Sequence, residues 1–132
     1  MKRATMPSCP FCSVPDARIL LQNDHAIVLP DAFPVSEGHS LVVPKQHVLS
    51  VFDLPVEEQA ALWRLVAEIR ERLKEQLHPD AFNIGLNDGE AAGQTVMHAH
   101  IHVIPRFRGD VEEVRGGVRR VLPKKAAYWK QG

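Results

Sequence analysis

The sequence has no surplus of charge of either sign: lysine plus arginine number 16, and so do aspartate plus glutamate. That balance excludes the strong basic field by which proteins gather nucleic acid, and it excludes an acidic tail. Nucleic acid is therefore not an expected partner. Long hydrophobic runs are missing too. Nothing approaches the roughly 20 apolar residues that span a bilayer, so no membrane association is expected. Met1 to Pro7 include Lys2 and Arg3 but no apolar stretch follows them, which argues against a secretory leader and for a cytoplasmic protein. Cysteine is scarce, with only Cys9 and Cys12 present. In a reducing compartment their Cys-x-x-Cys spacing suits metal binding or redox chemistry better than a disulfide.

What remains is ordinary globular composition, 45% hydrophobic and 24% charged over 132 residues. A chain of this length buries a real core and is expected to form a single domain, residues 1–132. Residues 17–21 and 25–29 read as two short strands around a turn at Gln22-Asn23-Asp24. Residues 39–43 read as a third strand, stopped by Pro44. The long helix is predicted over residues 56–77, because Leu62, Leu65, Val66, Ile69 and Leu73 recur at helical spacing. Asp53 is the expected N-cap, Pro55 suits the first turn, and His78-Pro79 ends the helix. Residues 81–86 and 95–104 complete the strands, the latter closed by Pro105. Strands joined by short connections around one helix predict an α+β fold with an antiparallel sheet of about five strands and short extra helical segments.

Seven histidines occur, three of them in His98-Ala99-His100-Ile101-His102. On a strand, residues two apart share a face, so the three imidazoles line one side while Ala99, Ile101 and Val103 face the core. Such a row serves one of three purposes: a solvated edge, a metal site, or nucleophilic catalysis on phosphorus. A metal site wants a nearby carboxylate, and the preceding loop offers only Asp88 and Glu90. Imidazole forms covalent intermediates that divide one hard displacement into two easier ones.

The run from Gly93 to Pro105, with Gln94 and the His-x-His-x-His row, resembles the signature of the histidine triad (HIT) hydrolases and transferases. Gly38 to His47 resembles that family's upstream strand, and Asn23 to Asp31 its earlier hairpin. The likeness holds from about residue 9 to about 110, leaving 111–132 as a basic tail. It implies an enzyme in which His100 attacks the α-phosphate of a purine nucleotide and becomes nucleotidylated. His98 and His39 would orient that ring, and His102 would contact the phosphate or protonate the leaving group. Gln94 and Thr95 match polar positions near the phosphate and leaving atom, Asn87 matches a polar contact on the loop before the signature, and Asp31 matches a ribose contact. Ile27, Leu29, Phe33 and Phe11 are candidates for a base slot, or else core. No metal is required for this chemistry, which needs positioning and charge stabilisation.

Some bacterial HIT proteins are similar in carrying the N-terminal Cys-x-x-Cys and a Lys-x-His after the Gly-His strand. The resemblance implies a structural zinc site of Cys9, Cys12, His47 and His98. It also implies a homodimer, to which Trp63 would contribute. Substrates of both family branches fit, dinucleoside polyphosphates and nucleoside phosphoramidates. The alternative is a slow or non-catalytic nucleotide-binding regulator using the same pocket. A thioredoxin-like redox role lacks the strand-to-helix context.

Overall fold

A computed structural model describes residues 8–130. The reading of Met1 to Pro7 as lacking a leader falls outside them. Five strands form one antiparallel sheet in the order β1-β2-β3-β5-β4: β1 (Leu21–Gln22), β2 (Ala26–Pro30), β3 (Ser40–Pro44), β4 (Ala81–Gly85) and β5 (Ile101–Arg106). One helix, α1 (Val56–Leu77), packs on β2, β3 and β5. Among the described residues no helix is long and apolar enough to cross a membrane.

The amphipathic stripe explains α1. Leu62, Leu65, Val66, Ile69 and Leu73 are all buried against Val28, Val42, Ile101 and Val103. Each large side chain so buried contributes roughly 1.5–3 kcal/mol. The helix ends where expected, with His78 left-handed at φ 51° and its N–H donating to the Lys74 carbonyl. Its start differs from expectation. Asp53 belongs to a separate 3-10 turn, Val51–Asp53, capped by Ser50. Pro55 holds the N-cap position of α1 without a side-chain hydrogen bond, and Glu57 and Glu58 supply negative charge to the first turn.

Two strands are shorter than expected. After Pro15 the chain makes a 3-10 turn at Asp16–Arg18, so only Leu21–Gln22 remains as β1. The predicted strand 95–104 begins only at Ile101, because the earlier residues have no neighbouring strand; the Ala99 N–H donates to Val48 instead. Pro105 does not close β5 but pairs with Phe82. Its carbonyl points away from β4 and accepts from Ser36 Oγ, so the missing N–H costs no bond to β4.

The face opposite α1 carries a second apolar cluster, Ile27, Leu29, Leu41 and Val43, covered by Phe11, Val14 and Ile19. Its neighbour in the sheet is the face that presents the histidines. Gly38 delivers His39 to that face with φ 87°, and a Cβ there would stand 2.5 Å from Leu77 Cδ1 and 3.0 Å from Leu73 Cδ2. Gly38→Ala is therefore expected to cost about 2 kcal/mol in urea denaturation, from backbone strain plus overpacking.

Candidate active site and metal centre

The alternation read from the histidine row survives even though its first half is not strand. Ala99, Ile101 and Val103 point into the core, while His100 and His102 are partly accessible and their ring centroids lie 5.1 Å apart. His98 is 0% exposed. Its Nε2 lies 2.8 Å from the Pro44 carbonyl oxygen. A carbonyl only accepts, so Nε2 carries the proton and Nδ1 the lone pair. Burial is the chief reason the His98 pKa is lowered, and it prevails over the Pro44 carbonyl.

That lone pair faces a compact cluster. His98 Nδ1 is 3.5 Å from Cys9 Sγ, 3.5 Å from Cys12 Sγ and 3.1 Å from His47 Nδ1, and Cys12 Sγ is 3.3 Å from His47 Nδ1. Bond lengths of about 2.3 Å to sulfur and about 2.0 Å to nitrogen put tetrahedral ligands roughly 3.3–3.8 Å apart. The donor set therefore fits one tetrahedral Cys2His2 ion, with Pro44 as the outer partner that fixes the His98 tautomer.

A second chain of hydrogen bonds fixes the remaining rings. The Val35 N–H donates to His39 Nδ1 at 3.1 Å, which leaves the His39 proton on Nε2. That Nε2 lies 2.9 Å from His102 Nδ1 and 3.4 Å from Asp31 Oδ2. His39 thus donates to His102, and His102 keeps its own proton on Nε2. Burial lowers the His39 pKa in spite of Asp31. Burial, followed by His100 and His39, pushes His102 down to about 4. Both rings are neutral near pH 7. Charging His102 opposes the fold as pH falls from about 6.5, the ordinary value, through its lowered one. In NMR of histidine-labelled protein, the His102 ring signals are expected to move near pH 4.

His100 is oriented from behind. Its Nδ1 donates to the His98 carbonyl at 2.8 Å, so in the neutral ring Nε2 bears the lone pair. Phe11 stands edge-on to both His98 and His100, at 5.8 and 5.1 Å.

The other expected residues divide. Asp31 accepts from the Phe33 N–H at 2.8 Å and flanks His39. Asn87 and Thr95 are exposed. Gln94 is buried, and its amide is engaged with backbone: it donates to the Leu49 and Val96 carbonyls and accepts from the Gly89 N–H. Its observed work is to pin the loop before the row. Ile27 and Leu29 lie in the second apolar cluster with Phe11 against it, whereas Phe33 is 88% exposed and apart from it. Sequence reasoning missed Val35 and Pro44, which act through main-chain atoms and leave no residue-type signal.

The profile of the HIT domain family matches residues 13–109. The chain belongs to the histidine triad family. An uncharacterized HIT-like protein of Mycoplasma genitalium is 38% identical over 111 residues, covering 81% of this chain and 79% of the relative. The adenylylsulfatase HINT3 of Arabidopsis thaliana is 34% identical over 116 residues, covering 85% of this chain and 59% of the relative. Among solved structures, a zinc-bound histidine triad protein of Mycobacterium smegmatis superposes with a TM-score of 0.70 at 39% identity, covering 78% of each chain. The C. elegans NitFhit protein gives 0.73 at 33% identity, covering 86% of this chain and 26% of that one. HIT membership supports nucleotide hydrolase or transferase activity in general.

Proposed function

We propose that the protein hydrolyses or transfers purine nucleotides by attack of His100 Nε2 on the α-phosphate of a dinucleoside polyphosphate or nucleoside phosphoramidate. The observation that carries this reading is the bond from His100 Nδ1 to the His98 carbonyl, which commits the other nitrogen to its lone pair. Attack forms a phosphorus–nitrogen bond to His100 while the bond to the displaced oxygen or nitrogen breaks, its electron pair leaving with that atom, which takes up a proton. Water then breaks the bond to His100 and releases a nucleoside monophosphate. His102 donates Nε2–H to a phosphate oxygen or to the departing atom. His39 holds the His102 tautomer, and Asp31 binds the ribose hydroxyls. Thr95 and Asn87 offer polar groups near the phosphate, and Gln94 shapes the loop that carries Thr95.

We further propose a structural zinc ion held by Cys9, Cys12, His47 and His98. A reducing cytoplasm, which we take as the compartment, keeps both cysteines out of disulfides and available to a metal. A homodimer completes the reading, with β4 at the sheet edge and Trp63 45% exposed on α1.

The test is product analysis. Protein incubated with adenosine 5′-phosphoramidate, or with diadenosine tri- or tetraphosphate, is expected to release AMP through an acid-labile adenylylated intermediate visible by rapid-quench mass spectrometry. AMP binding without turnover of any of the three would instead establish the regulatory binder.

A further inference from the structure

The four donors of the Cys2His2 cluster are unevenly shared between parts of the chain. Both sulfurs come from one turn ahead of β1, and both imidazoles from the body of the fold, where His47 follows β3 and His98 precedes β5. The turn is built locally. The Cys12 N–H donates to the Cys9 carbonyl at 3.2 Å, and Pro10 stands in second place, where its fixed φ suits a β-turn. Among the described residues, hydrogen bonds to β2 begin only further on, from Arg18 to the Pro30 carbonyl and from the Leu20 N–H to the Val28 carbonyl. A metal held by the cluster bridges this leading segment to the sheet.

What the turn carries gives that bridge its consequence. Phe11, between the two cysteines, stands edge-on to His98 and His100, with ring centroids 5.8 and 5.1 Å away. Val14 and Ile19 follow it over the apolar cluster of Ile27, Leu29, Leu41 and Val43. The segment that supplies the sulfurs is also a wall of the face that presents His100.

Two cysteines at the ends of a closed turn can also bond each other. The ends of a β-turn lie within about 7 Å, which is the reach of a disulfide. The four donor atoms all lie within 4.8 Å of one another, and both cysteines are half-buried, open to a small oxidant. A metal-bound cysteine sulfur is a thiolate, the form that attacks peroxide. The first Sγ bonds one oxygen of hydrogen peroxide as the O–O bond breaks, giving a sulfenic acid and a hydroxide that takes a proton from solvent. The second Sγ then bonds the sulfenic sulfur, the S–O bond breaks, and the departing oxygen leaves as a second water. The sulfurs give up two electrons in all, and the peroxide accepts them.

We propose that Cys9 and Cys12 form a peroxide-sensitive switch, in which their disulfide releases the metal ion and detaches the segment before Arg18 from His47 and His98. The inference rests on the zinc reading above. It follows from how the donors are shared. A disulfide satisfies both sulfurs within the turn and leaves the ion two imidazoles, which hold zinc far less tightly than a closed Cys2His2 set. Had one sulfur come from the sheet, the same bond would have stapled the segment down. Here it lets go, and Phe11 loses its station beside His100.

The test treats the zinc-loaded protein with hydrogen peroxide and follows zinc released to a chromogenic chelator, thiols remaining on denaturation, and tryptic cleavage after Arg18. One zinc is expected for each two thiols lost, since the protein has no other cysteines. Mass spectrometry should find the Cys9–Cys12 disulfide within one chain, and dithiothreitol with added zinc should restore the starting state. Cleavage after Arg18 should quicken by at least about tenfold as the segment comes free. Cys9→His keeps four ligands without a thiol pair, so it should retain its zinc under the same treatment. If that variant holds no zinc as purified, the stoichiometry and cleavage of the parent decide. Unreactive thiols, thiol loss with zinc retained, a disulfide between chains, unchanged cleavage, or equal release from Cys9→His would overturn the switch and leave the zinc reading intact. Parent protein purified without chelator yet free of zinc refutes both, and elemental analysis before treatment tells the two failures apart.

Discussion

Replacing His100 with alanine is expected to lower the rate of nucleoside monophosphate release by at least about a thousandfold, the scale seen when a covalent nucleophile is removed. The protein should remain folded. His100 is only partly buried and its side-chain hydrogen bond among the described residues is to the His98 carbonyl, so its loss opens little of the core. Rapid-quench mass spectrometry should find no adenylylated protein in this variant, while circular dichroism and the melting temperature stay near those of the parent. A residual rate within tenfold of the parent would mean that another group attacks phosphorus. A His102→Asn variant separates the roles, since it should still adenylylate but slowly, having lost the Nε2 donor.

The second large effect concerns the cluster around Cys9. Cys12→Ser, or prolonged treatment with a strong chelator, is expected to lower the melting temperature by at least about 10 °C, because a closed Cys2His2 site contributes directly to folding. Cys12 is chosen because its Sγ approaches both His47 and His98, 3.3 and 3.5 Å away. Protein purified without chelator should contain close to one zinc per chain by elemental analysis. Activity should fall with the metal, since the His98 backbone that orients His100 is tied to the same cluster. An unchanged melting temperature together with metal-free protein would sink the zinc assignment.

The legibility of the chain in its sequence varied with how local the cause was. The limits of α1 follow from a single apolar stripe and an X-Pro stop, both contained in the helix itself, and they match from Val56 to Leu77. The start of β5 does not, because alternation in residues 95–100 reflects side-chain packing without a partner strand, and only the fold reveals which neighbours exist. Likewise Asp53 is a good capping residue in isolation, yet the 3-10 turn ahead of α1 claims it. The Cys2His2 cluster joins residues up to 89 positions apart, so spacing alone marks only its Cys-x-x-Cys half, and family resemblance supplied the rest. The valines that line a cavity from the segment after β5, Val111, Val114, Val118 and Val121, were illegible for a different reason: they sit in irregular backbone and 3-10 turns, which have no periodicity to betray a shared face.

The acceptor that orients His100 is a peptide oxygen, not a side chain. No substitution at position 98 deletes that oxygen, so drift in the sequence leaves the ring's tautomer insulated from mutation. Only changes that shift the backbone itself reach it. Side-chain substitution surveys of this site will therefore register its donors and pass over its most important acceptor.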